Sequence, residues 1–127
     1  MNDLLKQLLA CKHFRWMRGM KVGNCTIQKV TSKYVIIDGG HDVPKDIMGL
    51  VYPLDVEDPA TKGCLLALVR EAWRCPAAFA YAVWTENSEI DYWIVECGDP
   101  PERWIGRGKT ESEAMIKALL AATKAVP

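Results

Sequence analysis

The stretch DPATKGCLLALVREAWRCP, residues 58–76, constrains the fold more tightly than any other part of the chain. Asp58 is a good helix N-cap, because its carboxylate can accept hydrogen bonds from backbone N–H groups of the first turn. Pro59 suits the first helical position, and Pro76 forbids continuation of the helix. The sequence therefore predicts a helix here, and its apolar stripe, which includes Leu65 and Trp73, is interpreted as core and not as a ligand site.

The residues after this helix predict three strands and a second helix. AFAYAVWT (78–85) alternates along its length, IDYWIVEC (90–97) reads as the next strand, and RWIGRG (103–108) as the third. ENSE is expected to be a turn and GDPPE a loop. Thr110 and Glu113 form a T-x-x-E capping box at the start of the final helix.

The first half predicts one short helix followed by strands. Asp3 is expected to cap a helix with a leucine stripe, and HFRWMRGMKV is expected to be extended or in turns. CTIQKVTSKYVIIDGG predicts a β-hairpin with strands over 26–31 and 34–37. HDVPKD is predicted to be a loop, and IMGLVY (47–52) a third strand.

These elements predict an α+β fold with mainly antiparallel sheet. The N-terminal α-β-β(-β) part is followed by an α-β-β-β-α unit. We expect a single domain over 1–127, with an N-terminal helix and hairpin subregion at 1–53 and a core at 58–125.

Charge and hydropathy exclude several classes of function. Sixteen basic and sixteen acidic residues give no net charge, which makes nucleic acid an unlikely partner, since phosphate binding depends on clustered Lys and Arg. No segment reaches the roughly 20 apolar residues of a membrane span. The start lacks a signal-peptide pattern, so we expect a cytoplasmic protein without membrane attachment.

The chemistry-bearing residues do not form an enzymatic motif. Five scattered cysteines contain no C-x-x-C pair and are interpreted as reduced, mostly buried thiols. His13 and His41 lack the spacing of zinc ligands, so no metal or other cofactor is expected. His41 and Asp42 could form an oriented base, but nothing places a nucleophile beside them. The prediction is that the protein is not an enzyme.

The second half resembles a double-stranded-RNA-binding domain in element order and in GRGKTESEAMIKA near its end. The resemblance would imply RNA binding by this half of the chain. However, the phosphate-binding lysines of such domains would fall at Glu111, Ser112 and Met115. RNA binding is therefore kept as an alternative.

Five tryptophans favour a binding function, because Trp, Tyr and Arg dominate interface hot spots. The segments FRWMR and ERWIGR each place arginine beside tryptophan. They could cover a small core, contact a protein, or stack a nucleotide base in a pocket at the interface of a homodimer. The predicted partner- or ligand-binding residues are Arg15, Trp16, Arg18, Arg103, Trp104 and Arg107.

Three motifs, FRWMRGM, DPATKGCLLALVREAW and GKTESEAMIKALLAA, are similar to those of a set of small uncharacterised accessory proteins from bacteriophages and prophages. The resemblance implies a phage protein acting in the bacterial cytoplasm. By analogy, it implies a non-enzymatic inhibitor of a host defence protein, with a small-molecule or nucleotide sponge as the alternative.

Overall fold

The computed structural model describes residues 2–98 and 103–125, and its α+β fold with two antiparallel sheets is the predicted class. The chain divides into two compact units. Met1–Phe14 and Leu65–Pro127 form the first, and Arg15–Cys64 form the second. No helix in the described ranges is both long and apolar enough to cross a membrane.

Residues 58–76 contain helix α3, Pro59–Ala72. The Asp58 carboxylate accepts hydrogen bonds from the backbone N–H groups of Ala60, at 3.1 Å, and Thr61, at 3.2 Å. These bonds satisfy two donors that the first turn of a helix leaves without intrahelical partners. The predicted cap is confirmed.

The first unit is built on a three-stranded antiparallel sheet. Its strands are β5 (Phe79–Trp84), β6 (Ile90–Cys97) and β7 (Arg103–Gly108), in that spatial order. The predicted turn ENSE joins β5 to β6. The predicted loop GDPPE lies, except for Gly98, outside the described residues.

Helix α4 (Glu111–Ala125) contributes more buried side chains to the core of this unit than any other described element. The predicted capping box forms in a modified way: the Glu113 N–H donates to Thr110 Oγ1 at 3.1 Å, but the Glu113 carboxylate accepts from the Lys109 N–H at 3.2 Å. The side chains of α4 that are fully buried belong to Ser112, Ala114, Met115, Ile116, Ala118, Leu119 and Ala122. Helix α1 (Asn2–Leu9) contacts α4 and buries Leu8 completely.

Trp73 lies just after α3 and is a structural residue, as its position in the stripe predicts. Its indole N–H donates to the carbonyl oxygen of Ala118 in α4 at 2.8 Å. The Arg103 guanidinium lies over its ring, 4.8 Å from the centroid. Residues 58–76 therefore form a capped helix, and the tryptophan that follows the helix stabilises the fold through contacts with α4 and Arg103.

The second unit contains a four-stranded antiparallel sheet in chain order. Its strands are β1 (Lys21–Val22), β2 (Cys25–Val30), β3 (Tyr34–Ile37) and β4 (His41–Pro44). The predicted hairpin of β2 and β3 is confirmed, with its turn at the predicted place.

Two predictions for the second unit are wrong. Residues 41–44 form strand β4 and not a loop, because Gly39 and Gly40 take φ values of +82° and +77° and return the chain alongside β3. Residues 47–52 form no strand. Their centre is the short helix α2 (Met48–Val51), which buries Met48 and leaves Leu50 85% exposed.

Candidate functional site

The register of the first unit's sheet places a set of aromatic side chains on one face. Antiparallel partners share a face, and side chains alternate along each strand. One row across the sheet is Phe79, Glu96 and Trp104, and the next is Tyr81, Ile94 and Arg107. We call this surface the open face; its residues are Phe79, Tyr81, Val83, Tyr92, Ile94, Glu96, Trp104 and Arg107.

Two glycines show that α4 covers the other face. A Cβ atom added at Gly106 would meet the backbone of Ala114 and Ala118, and one added at Gly108 would meet Glu113 and Ala114. Both glycines therefore point at α4. The open-face residues point the opposite way, so α4 does not cover them.

The aromatic side chains of the open face are substantially accessible. Trp104 is 61% exposed and Phe79 is 40% exposed, while Tyr81 and Tyr92 are half-buried. The rings of Phe79 and Tyr81 are tilted to each other, with centroids 5.5 Å apart. Exposed aromatics that adjoin one another on a rigid sheet are typical of a contact surface.

Two charged side chains are held in place within this aromatic surface. Glu96 is only 8% exposed, and its Oε1 accepts a hydrogen bond from the Trp104 indole N–H at 3.1 Å. The Arg107 guanidinium lies over the Tyr92 ring, 3.9 Å from the centroid. These contacts fix the orientation of Trp104 and Arg107 before any partner binds, which lowers the entropy lost on binding.

A β-bulge in β7 places its predicted site residues on different faces of the sheet. Val95 pairs with Gly106 and Glu96 with Trp104, so Ile105 is an extra residue in β7. Trp104 and Arg107 consequently share the open face. Arg103 lies on the other face, where it stacks on Trp73 and approaches Cys97 Sγ at 4.0 Å.

Arg15, Trp16 and Arg18 belong to the second unit, where they precede β1 in an irregular segment. Arg15 and Arg18 are exposed, and Trp16 is half-buried. The backbone of this segment is anchored, because the Cys64 thiol donates to the Arg18 carbonyl oxygen at 3.6 Å.

Sequence reasoning omitted Phe79, Tyr81, Tyr92 and Glu96 from the site. The alternation of β5 indicated two faces, but both faces of the hairpin carry aromatic residues. The two glycines of RWIGRG are the signal that could have identified the helix-covered face, since close helix–sheet packing requires small residues.

A cavity of about 450 Å³ adjoins the open face at Tyr92 and Arg107. Lys109, Glu113 and Lys117 also line it. Glu113 forms an ion pair with Lys117, whose Nζ lies 3.0 Å from the Glu113 Oε1. The hydrogen bond that Lys117 donates in this pair is the main reason why the pKa of Glu113 is below its usual value. The Glu113 carboxylate thus partly neutralises the positive charge of the cavity. This weakens the prediction of a site for a nucleotide phosphate.

The cysteines do not offer an activated nucleophile at the open face. All five are free thiols, and Cys75 and Cys97 are buried. Burial is the main cause that raises the pKa of Cys97, and a hydrogen bond with Cys75 raises it further. The pKa of Cys64 is also raised, mainly by burial and additionally by the negative charge of Asp58. Across residues 2–98 and 103–125, no group of three or more His, Cys, Asp or Glu could hold a metal ion.

Comparisons of the chain with protein-family models, curated proteins and solved structures find no match.

Proposed function

We propose that this chain is a non-enzymatic binding protein whose open face contacts a protein partner. The observation that carries the proposal is the aromatic row on the sheet face opposite α4, with Trp104 61% exposed at one edge and Phe79 40% exposed at the other. Desolvating such side chains is the main source of affinity in protein interfaces.

The charges on the open face favour a protein over a nucleic acid. Of its two charged residues, Arg107 is stacked on Tyr92, and Glu96 would repel phosphate from the middle strand. The net charge of zero adds no general attraction for phosphate. Ser112 and Met115, at two positions where an RNA-binding domain presents lysine, are fully buried.

The resemblance to phage accessory proteins supplies a context for this proposal. In that context the partner would be a protein of the bacterial cytoplasm, such as a host defence component that the chain inhibits. A nucleotide sponge is the remaining alternative, with the cavity beside Tyr92 as its site.

A capture experiment with matched tryptophan variants tests the open face. Trp84 is as exposed as Trp104, 61% in each case, but it alternates with Val83 and so points away from the open face at the end of β5. Tagged wild-type chain, Trp104→Ala and Trp84→Ala are incubated with nuclease-treated bacterial lysate, and bound proteins are identified by mass spectrometry.

We expect Trp104→Ala to lose a protein that wild type and Trp84→Ala both retain. This variant should melt somewhat below wild type, because Glu96 loses the hydrogen bond from the indole, but it should remain folded at the temperature of the capture. Equal capture by both variants would reject the open face as the contact surface. If no variant captures protein, a rise in melting temperature with a nucleotide panel would support the sponge alternative instead.

A further inference from the structure

Among the described strands, β5 is the sheet edge with the least protection against pairing with another chain. Protein sheets usually protect their edges from pairing with another chain by short length, charge, proline or a bulge. Among the described strands, β1 has only two residues, β4 ends in Pro44, and β7 contains a bulge and two arginines. Strand β5, sequence FAYAVW, is six residues long and contains no charge and no proline.

The bulge between β5 and β6 does not disrupt β5 itself. Val83 pairs with Tyr92 and Trp84 with Ile90, so the extra residue, Asp91, lies in β6. The elements that contact β5 most are β6, on one side, and α4, on one face. Its other side has no neighbouring strand in the described chain, so a regular row of backbone N–H and C=O groups is available there.

We infer that β5 pairs antiparallel with β5 of a second copy of this chain, forming a continuous six-stranded sheet in a two-fold symmetric dimer. This inference goes beyond the proposed function and does not depend on it. Antiparallel strands related by a two-fold axis perpendicular to the sheet keep equivalent faces on the same side. The two open faces would therefore join into one aromatic surface.

The sequence of β5 is self-complementary when the axis passes beside Tyr81. Tyr81 then lies opposite Tyr81 of the second copy, Phe79 opposite Val83, and Ala80 opposite Ala82. Each open-face pair is aromatic–aromatic or aromatic–β-branched, which are favourable cross-strand pairs. On the α4 side Ala80 lies opposite Ala82, and these small side chains leave room beside the helices, while Trp84 at the end of the strand lies opposite Ala78.

The charges at the two ends of β5 also complement each other in this arrangement. Arg70 is exposed and held at the start of β5, where its Nε–H donates to the Ala78 carbonyl oxygen at 2.8 Å. The turn after β5 carries exposed Glu86 and Glu89. An antiparallel pair places the start of each strand beside the end of the other, so Arg70 of each copy would lie near Glu86 of the second copy.

Sedimentation equilibrium of the purified full chain provides the first test. We expect the mass of a dimer that dissociates on dilution, and a monomer at every concentration up to the solubility limit would overturn the inference. Val83→Lys and Phe79→Glu should each weaken dimerisation about tenfold, equivalent to about 1.4 kcal/mol, because symmetry introduces each change twice. Trp104→Lys, which places a charge on the same face at the β7 edge, should leave the dimer intact.

Mixing the two β5 variants tests the register. A heterodimer of Val83→Lys with Phe79→Glu contains one lysine–glutamate pair and one native Phe79–Val83 pair, so it should be tighter than either variant alone. Melting temperatures establish that each variant is folded. A dimer that both β5 variants leave unchanged would exclude this edge, and the absence of heterodimer gain would exclude the Tyr81-centred register.

Discussion

Replacing Gly106 with alanine is the sharpest test of how β7 packs on α4. The added Cβ would meet the carbonyl oxygen of Ala114, and it would lie 2.8 Å from Ala118 Cβ and 2.9 Å from Ala118 N. Two of these three atoms belong to the helix backbone, which cannot rotate away as a side chain can. The helix would have to move off the sheet by about 1 Å, disturbing packing around Met115 and Leu119.

Overpacking of this kind typically costs about 1–3 kcal/mol, and the backbone contacts place Gly106→Ala at the upper end, about 3 kcal/mol. For a chain of this length that corresponds to a melting temperature lower by roughly 10 °C. The measurement is the free energy of unfolding from urea titration followed by circular dichroism.

Gly63 provides a matched control, because it is an exposed glycine inside α3 whose added Cβ would meet nothing within 4 Å. Gly63→Ala should stabilise the protein by about 0.5–1 kcal/mol through reduced entropy of the unfolded chain. The reasoning would be refuted if Gly106→Ala unfolded within about 0.5 kcal/mol of wild type, or if the two substitutions had the same sign.

Substitutions at two further positions test interactions at helix starts. Asp58→Ala should cost about 1 kcal/mol, since two backbone donors lose their acceptor, whereas Asp58→Asn should cost only a few tenths; equal losses in urea titrations would contradict capping. The pKa of Glu113 is lowered in the folded state, so its contribution is present above its unfolded pKa and is lost as pH falls through the folded value. Glu113→Gln should therefore reduce stability slightly at neutral pH and not at acidic pH, and a loss that is independent of pH would refute the ion pair with Lys117 as its source.

The elements with strong local signals could be predicted from the sequence. Helix α3 begins at its predicted cap, and β6 and β7 have the predicted bounds, because apolar periodicity and end signals agree in these segments. Residues 41–44 could not be recognised as a strand, since HDVP lacks strand propensity and pairs only because the preceding glycine turn brings it beside β3. The strand predicted over residues 47–52 is wrong because a short apolar run fits a strand or a helix equally well.

The candidate site could be predicted only in part, because the faces of its strands depend on a bulge and on where α4 packs. Trp104 and Arg107 were identified from their residue types, but the bulge at Ile105 changes the alternation that would place Arg103 beside Arg107. A bulge depends on the register of the neighbouring strand, which the sequence of β7 alone does not contain. The β5–β6 hairpin has aromatic residues on both faces, and which face stays exposed depends on where α4 packs.

The docking of α1 on α4 affects how this protein can fold during synthesis. The Cys11 thiol approaches the carbonyl oxygen of Leu119 at 3.8 Å, across 108 residues of sequence. The first unit therefore contains contacts between residues far apart in sequence, and α1 must wait on the ribosome until α4 has emerged. Residues 15–64 are continuous in sequence and need no such delay. Synthesis should thus yield the β1–β4 sheet first, and α1 should dock among the last steps.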